Sequence, residues 1–154
     1  MSTQTTIEPV RRTVGVDLPI ADAFRLFTAE IGTWWPLDRF SVSDAKTVDA
    51  TWEPRAGGEV YELDENGDRH HWADVLVWEP PHRFVIAWRV NPEWPAPTEV
   101  EVRFTPFEDG AGTRVELEHR GFERLGERAE AARASYDTGW ETVLGRFVEG
   151  AGAR

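Results

Sequence analysis

The last third of the chain carries a helical stripe. From about Glu127 to Glu149, the residues Tyr136, Trp140, Val143 and Phe147 recur at spacings of four, three and four, with Leu144 beside them. That spacing returns to one side of a helix. Arg128, Arg133, Asp137, Glu141 and Arg146 fall on the other side. Such a helix runs roughly 34 Å at 1.5 Å per residue, long enough to lie across a whole sheet.

Upstream the period is mostly two. Val10 to Val16 alternates and reads as a strand. Pro19 suits the first turn of a short helix over about Ile20 to Ala29, with Asp17 or Asp22 as its cap. Ala23, Phe24, Phe27 and Ile31 share one side of it. Gly32 interrupts it, and Trp34-Trp35-Pro36 makes a second short helical turn. Residues 37 to 45 read as a polar loop. Strands follow at Lys46 to Trp52, Glu59 to Leu63, His70 to Trp78 and Arg83 to Val90, joined through Gly57-Gly58, Asn66-Gly67 and Pro80-Pro81. Asn-Gly is a strong hairpin signal. A Pro-rich loop, Asn91 to Pro97, holds Trp94 as an exposed residue or a lid.

The last hairpin alternates most cleanly. Val100, Val102 and Phe104, then Val115, Leu117 and His119, point inward; Glu99, Glu101 and Arg103, then Arg114, Glu116, Glu118 and Arg120, point outward. One buried and one wet face follow. A four-residue loop over Asp109 to Gly112 sets Arg103 opposite Glu118 and Glu101 opposite Arg120. Opposite charges favour that register over one pairing Glu101 with Glu118, by about 0.2–1 kcal/mol per pair. The order strand, helix, six strands, long helix predicts an α+β domain, a curved antiparallel sheet of about seven strands wrapped on the C-terminal helix. The domain spans residues 10–149, with flexible ends at 1–9 and 150–154.

Composition narrows the function. A net charge of −11 disfavours nucleic acid and anionic membranes as partners. The chain has no Cys, so thiolate catalysis and thiolate metal sites are excluded and a cytoplasmic location is expected. No apolar run is long enough to span a bilayer, and the N-terminal segment lacks the apolar core of a signal peptide. His70 and His71 are strand neighbours that point to opposite faces. With His82 in a turn, no metal-ligand spacing appears. Neither a Gly-x-Ser-x-Gly nor a phosphate-loop motif is present, and no cofactor is expected.

Eight Trp in 154 residues read either as core and rim residues or as an aromatic-lined pocket. For the pocket, Trp52, Trp72, Trp88 and Trp140 are wall candidates, with Trp34 and Trp35 at its lip. Val102, Phe104 and Leu117 supply the sheet side. His119 reads as a polar anchor or general acid/base in the cavity, or as a core histidine with hydrogen-bonded nitrogens. Tyr136 offers its hydroxyl to a ligand or caps the core. These two are the catalytic candidates. An inward Arg89 would suit an acidic ligand group.

Several motifs, in order, resemble one family. They are Ala23 to Phe27 followed by Trp34-Trp35-Pro36, then Arg55 to Tyr61 with its Gly-Gly entry, and Val75 to Phe84 with its Pro-Pro turn. Trp88, Glu118 to Phe122 and Gly139-Trp140 complete the set. Over residues 10 to 149 the chain resembles the helix-grip fold of the START-like (SRPBCC) superfamily, in the group named after the C-terminal domain of the activator of heat-shock protein 90 ATPase. The resemblance implies an elongated cavity between sheet and helix that binds a hydrophobic small molecule. It also implies two other functions: a cyclase or hydrolase using His119, and a chaperone-activator-like or regulatory protein with a protein partner or a homodimer contact.

Overall fold

The computed structural model describes residues 7–38 and 40–153. Seven strands form one antiparallel sheet: β1 (Val10–Val16), β2 (Thr47–Trp52), β3 (Glu59–Asp64), β4 (Arg69–Glu79), β5 (Arg83–Trp88), β6 (Thr98–Pro106) and β7 (Thr113–Arg120). Their spatial order is β1-β7-β6-β5-β4-β3-β2. Helix α1 (Ile20–Phe27) follows β1, and a 3-10 turn at Ile31–Thr33 follows α1. Helix α2 (Ala129–Gly152) closes the chain. The sheet curls around α2, which makes the fold the α+β helix grip that the alternation predicts. No described helix is long and apolar enough to cross a membrane.

Two clusters divide the interior. At one end, Phe24 and Phe27 of α1 pack edge-on against Phe104, with centroids 5.1 and 5.9 Å away. Phe27 also meets Phe147 of α2 at 5.0 Å. Trp52 packs on Phe84 at 4.6 Å. At the other end, Trp35, Trp72, Trp88 and Trp140 meet at 5.0 to 6.1 Å. Each such pair contributes about 0.5–1.5 kcal/mol beyond its area burial. Helix α1 therefore plugs one end of the concavity and leaves the other end to the tryptophans.

Local details differ from the sequence reading. Pro19 itself occupies the N-cap of α1, with no side-chain cap, and its carbonyl accepts from Ala23 N–H at 2.9 Å. The β6–β7 register pairs Glu101 with Glu118, Arg103 with Glu116 and Glu99 with Arg120. The loop is four residues long but lies one position earlier, closed by Phe107 N–H to Gly112 O at 2.9 Å. Three arginines remove the penalty of the Glu–Glu pair. Glu101 accepts from Arg83 at 2.6 Å, Arg120 at 2.7 Å and Arg103 at 2.8 Å, and Arg120 also donates to Glu118 at 2.8 Å.

The described residues near the two ends make defined contacts. Residues 1–6 lie outside the described residues. At the following positions, Arg133 donates to Glu8 O at 2.6 Å and Pro9 O at 3.3 Å. Where fraying is expected, α2 continues to Gly152 with Ala151 buried. Gly150 lets it approach Trp34, since a Cβ there would lie 3.2 Å from Trp34 Cβ. The helix also begins later than Glu127. A 3-10 segment, Phe122–Arg128, precedes it, and Gly126 has a positive φ of 61° that only Gly adopts readily.

Candidate functional site

At the end left open by α1 lies a cleft of about 410 Å³. Small-molecule sites are of this size. Helix α2 contributes Ser135, Tyr136, Gly139, Trp140 and Val143. These positions are spaced one, three, one and three apart, so they form one helical side. Gly139 sits in the middle of that side, and the absence of a side chain there leaves room beside Phe40. Trp35, Phe40, Ser41 and Val42 form one lip; Trp88 and the loop residues Val90, Asn91 and Pro92 form the other.

Both lips are tied down. Trp35 Nε1 donates to Phe40 O at 2.7 Å. Glu62, fully buried on β3, takes Val42 N–H at 2.6 Å, Ser43 N–H at 2.8 Å, Thr47 Oγ1 at 3.0 Å and Trp72 Nε1 at 2.5 Å. Burial alone would raise the pKa of this carboxyl, but the donors from Val42, Trp72 and Ser43 outweigh it and hold the pKa below the ordinary value. The segment expected to be a polar loop is thereby clamped. On the second lip, Arg89 donates to the carbonyls of Pro92 and Trp94. Both bonds come from Nη2, Nε is buried without a partner among the described residues, and Arg89 is not itself part of the cleft lining. Trp94, expected to be exposed or a lid, is only 7% exposed and packs against Tyr136 with centroids 6.1 Å apart. The loop folds back because Trp94 can bury its ring on α2 while Arg89 satisfies the loop carbonyls.

A directional hydrogen-bond chain backs the aromatic wall. Trp140 Nε1–H donates to His119 Nδ1 at 2.9 Å. An indole can only donate, so the neutral ring carries its proton on Nε2. That nitrogen lies 2.7 Å from Thr98 Oγ1, which in turn donates to Trp88 O at 3.3 Å. The chain ends there; separately, Trp88 Nε1–H donates to the Tyr136 hydroxyl at 2.8 Å. His119 is fully buried, and burial lowers its pKa to about 3. Burial raises the pKa of Tyr136 to about 12, against the opposing hydrogen bond from Trp88. Near neutral pH both are uncharged.

Of the residues named from sequence, Trp35, Trp88, Tyr136 and Trp140 line the cleft. Trp72 stands behind Trp35 and Trp88, with its N–H on Glu62. His119 lies behind Trp140, among Phe122 and Tyr136. Trp34, Trp52, Val102, Phe104 and Leu117 belong to the packed core. Trp34 is held there by its N–H to Leu26 O at 2.7 Å. Sequence reasoning named Trp35 and Trp88, and Gly139 only within a family motif, but passed over Glu62, Thr98 and the lip residues Phe40, Ser41, Val42, Val90, Asn91 and Pro92. Glu62 shares strand parity with the buried Val60, and Gly139 lies three residues after Tyr136; these signals were in the chain. Among the described residues no group of three His, Asp or Glu is placed to hold a metal ion.

A curved sheet gripping a long helix, with an aromatic cleft at one end, defines a helix-grip protein of START-like type. The chain belongs to the family described as Activator of Hsp90 ATPase homolog 1-like protein, whose model matches residues 17–151. Among solved structures, an anthrahydroquino-γ-pyrone synthase, Txn09, is 33% identical, with 86% of this chain and 88% of that one covered and a TM-score of 0.59. CalC, a self-sacrificing resistance protein from Micromonospora echinospora, is 29% identical over 94% of both chains, with a TM-score of 0.68. An HSP90 activator from Plasmodium falciparum is 21% identical, with 74% and 73% covered and a TM-score of 0.53, a likeness of fold. A comparison with curated proteins gave no match.

Proposed function

We propose that this protein binds a small, largely apolar aromatic molecule in the cleft between α2 and the β5 end of the sheet. The observation that carries this reading is the lining. Three indoles, a phenol and Phe40 surround about 410 Å³, and the N–H groups of all three indoles are already bonded. The tryptophans therefore offer carbon faces to a ligand, which favours stacking. Among the described lining residues Tyr136 is the one titratable group, and its high pKa keeps it neutral. The synthase at 33% identity, named for an anthrahydroquino-γ-pyrone, adds support for an aromatic ligand.

Binding fits this geometry better than proton-transfer catalysis through His119. A general acid or base must reach the reacting atoms. Both nitrogens of His119 are bonded within the protein and its ring is fully buried. NMR of the indole N–H signals, during titration with the neutral hydrocarbon fluorene, tests the reading. Saturable shifts confined to Trp35, Trp88 and Trp140 are expected. Unmoved signals up to the solubility limit of fluorene would refute it.

A further inference from the structure

We propose that Tyr136 selects, within this cleft, aromatic ligands that carry an acceptor oxygen, and that it does so as a donor whose own oxygen already accepts from Trp88 Nε1–H. The inference rests on the cleft being the ligand site. Two indoles fix the direction of two separate sets of hydrogen bonds here, since an indole N–H donates and never accepts. Trp140 fixes the tautomer of His119, so that Nε2–H faces Thr98 and the Thr98 hydroxyl turns to Trp88 O. Independently, Trp88 Nε1–H occupies a lone pair of the Tyr136 oxygen at 2.8 Å. The phenolic proton has no acceptor among the described residues. Tyr136 lines the cleft, its ring held by His119 at 4.6 Å, Phe122 at 6.1 Å and Trp94 at 6.1 Å. Its O–H is thus a fixed donor set among the aromatic side chains Trp35, Phe40, Trp88 and Trp140, apart from the polar Ser41, Asn91 and Ser135 of the lining.

A donor already accepting a hydrogen bond is polarised and becomes a better donor. A ligand with a carbonyl or ether oxygen at this point gains a hydrogen bond. A pure hydrocarbon leaves the O–H dry and unpaired, which is costly in an apolar site. The same donor disfavours ligands presenting an N–H or ammonium group there.

Fluorene and fluorenone share one tricyclic frame and differ in a carbonyl oxygen, so they isolate this contact. Fluorenone should bind the wild-type protein roughly three- to tenfold more tightly than fluorene, the range of one net hydrogen bond. Tyr136→Phe should abolish that preference, bringing the fluorenone and fluorene affinities to within about twofold of each other. The chain has two tyrosines, so NMR of tyrosine labelled at Cζ reads the contact in the wild-type protein without a variant. Fluorenone should shift the Tyr136 signal, fluorene should shift it much less, and Tyr61 should stay unmoved. Equal affinities, a preference that survives in Tyr136→Phe, or a Tyr136 signal indifferent to the carbonyl would overturn the assignment while leaving the cleft as an aromatic site. Absence of binding by both probes would overturn the site and the assignment together.

Discussion

The indole of Trp140 on α2 donates its N–H to Nδ1 of His119 on β7 across 2.9 Å, joining the helix to the sheet by a buried polar contact. Because His119 is fully buried and held neutral with a pKa of about 3, this contact is sensitive to acid. The unfolded chain takes up a proton on this histidine near pH 6.5, whereas the folded protein does not until about pH 3. The stabilisation is complete above pH 6.5 and declines as pH falls below it, by about 1.4 kcal/mol per unit for one proton. Urea titrations of wild type and His119→Gln at pH 7 and pH 5 should differ in their pH slopes by roughly one proton. Parallel slopes would show that His119 protonates freely in the folded state.

Glu62 should prove the most sensitive polar position. Glu62→Gln keeps the shape but sets an amide N–H₂ against donors from Val42, Ser43, Thr47 and Trp72. A loss of about 2–4 kcal/mol is expected, with faster amide exchange at Val42 and Ser43. The native carboxylate has a lowered pKa, so its contribution holds above its ordinary value near 4.5 and disappears as pH falls through the folded value. A change under 1 kcal/mol with unchanged exchange would show that the lip is held by other contacts.

The convex face separates a buried ion cluster from ordinary surface charge. Burial would raise the Glu101 pKa, but Arg120, Arg83 and Arg103 hold it near 2. Glu101→Gln removes the carboxylate these three arginines share, while Arg83 keeps Glu79 and Arg120 keeps Glu99 and Glu118, and should cost about 2 kcal/mol. Glu118→Gln, at a side chain 31% exposed, should cost less than about 1 kcal/mol. Denaturant midpoints of the two variants decide the point, and equal losses would contradict it.

These residues also mark how far the sequence could be read. Strand alternation placed His119 beside Val115 and Leu117, and the spacing of Tyr136 and Trp140 placed the helix stripe. Alternation depends on one face being buried, and burial terms are large. The β6–β7 register was misread because it was argued from exposed charge pairs, each worth under about 1 kcal/mol, while Glu101 is in fact buried among arginines. Parity gives the face of a tryptophan but not what covers it. Trp52 and Trp88 both point inward, yet α1 fills the space near Trp52 and leaves that near Trp88. Trp94 was misread because composition marks a Pro-rich loop as exposed and cannot reveal that Arg89 folds it back.

Gly139 offers control over the cleft. It is a helix-interior glycine whose added Cβ would meet Phe40 at 3.4 Å, an ordinary contact. Gly139→Ala should therefore raise stability by about 0.5–1 kcal/mol through helix propensity, read as a higher urea midpoint. A lower midpoint would mean that Phe40 cannot yield.

A bulkier residue at the same point tests the central claim. Gly139→Leu projects a side chain into the space between Phe40 and Trp140, and should obstruct the cleft without touching the core around α1. Fluorenone binding is measured by tryptophan quenching in wild type and in Gly139→Leu, with folding checked by circular dichroism. A single saturable site in the wild type, weakened at least tenfold in the folded variant, is the predicted result. Equal binding by both proteins, or none by either, would contradict the assignment of this cleft as the ligand site.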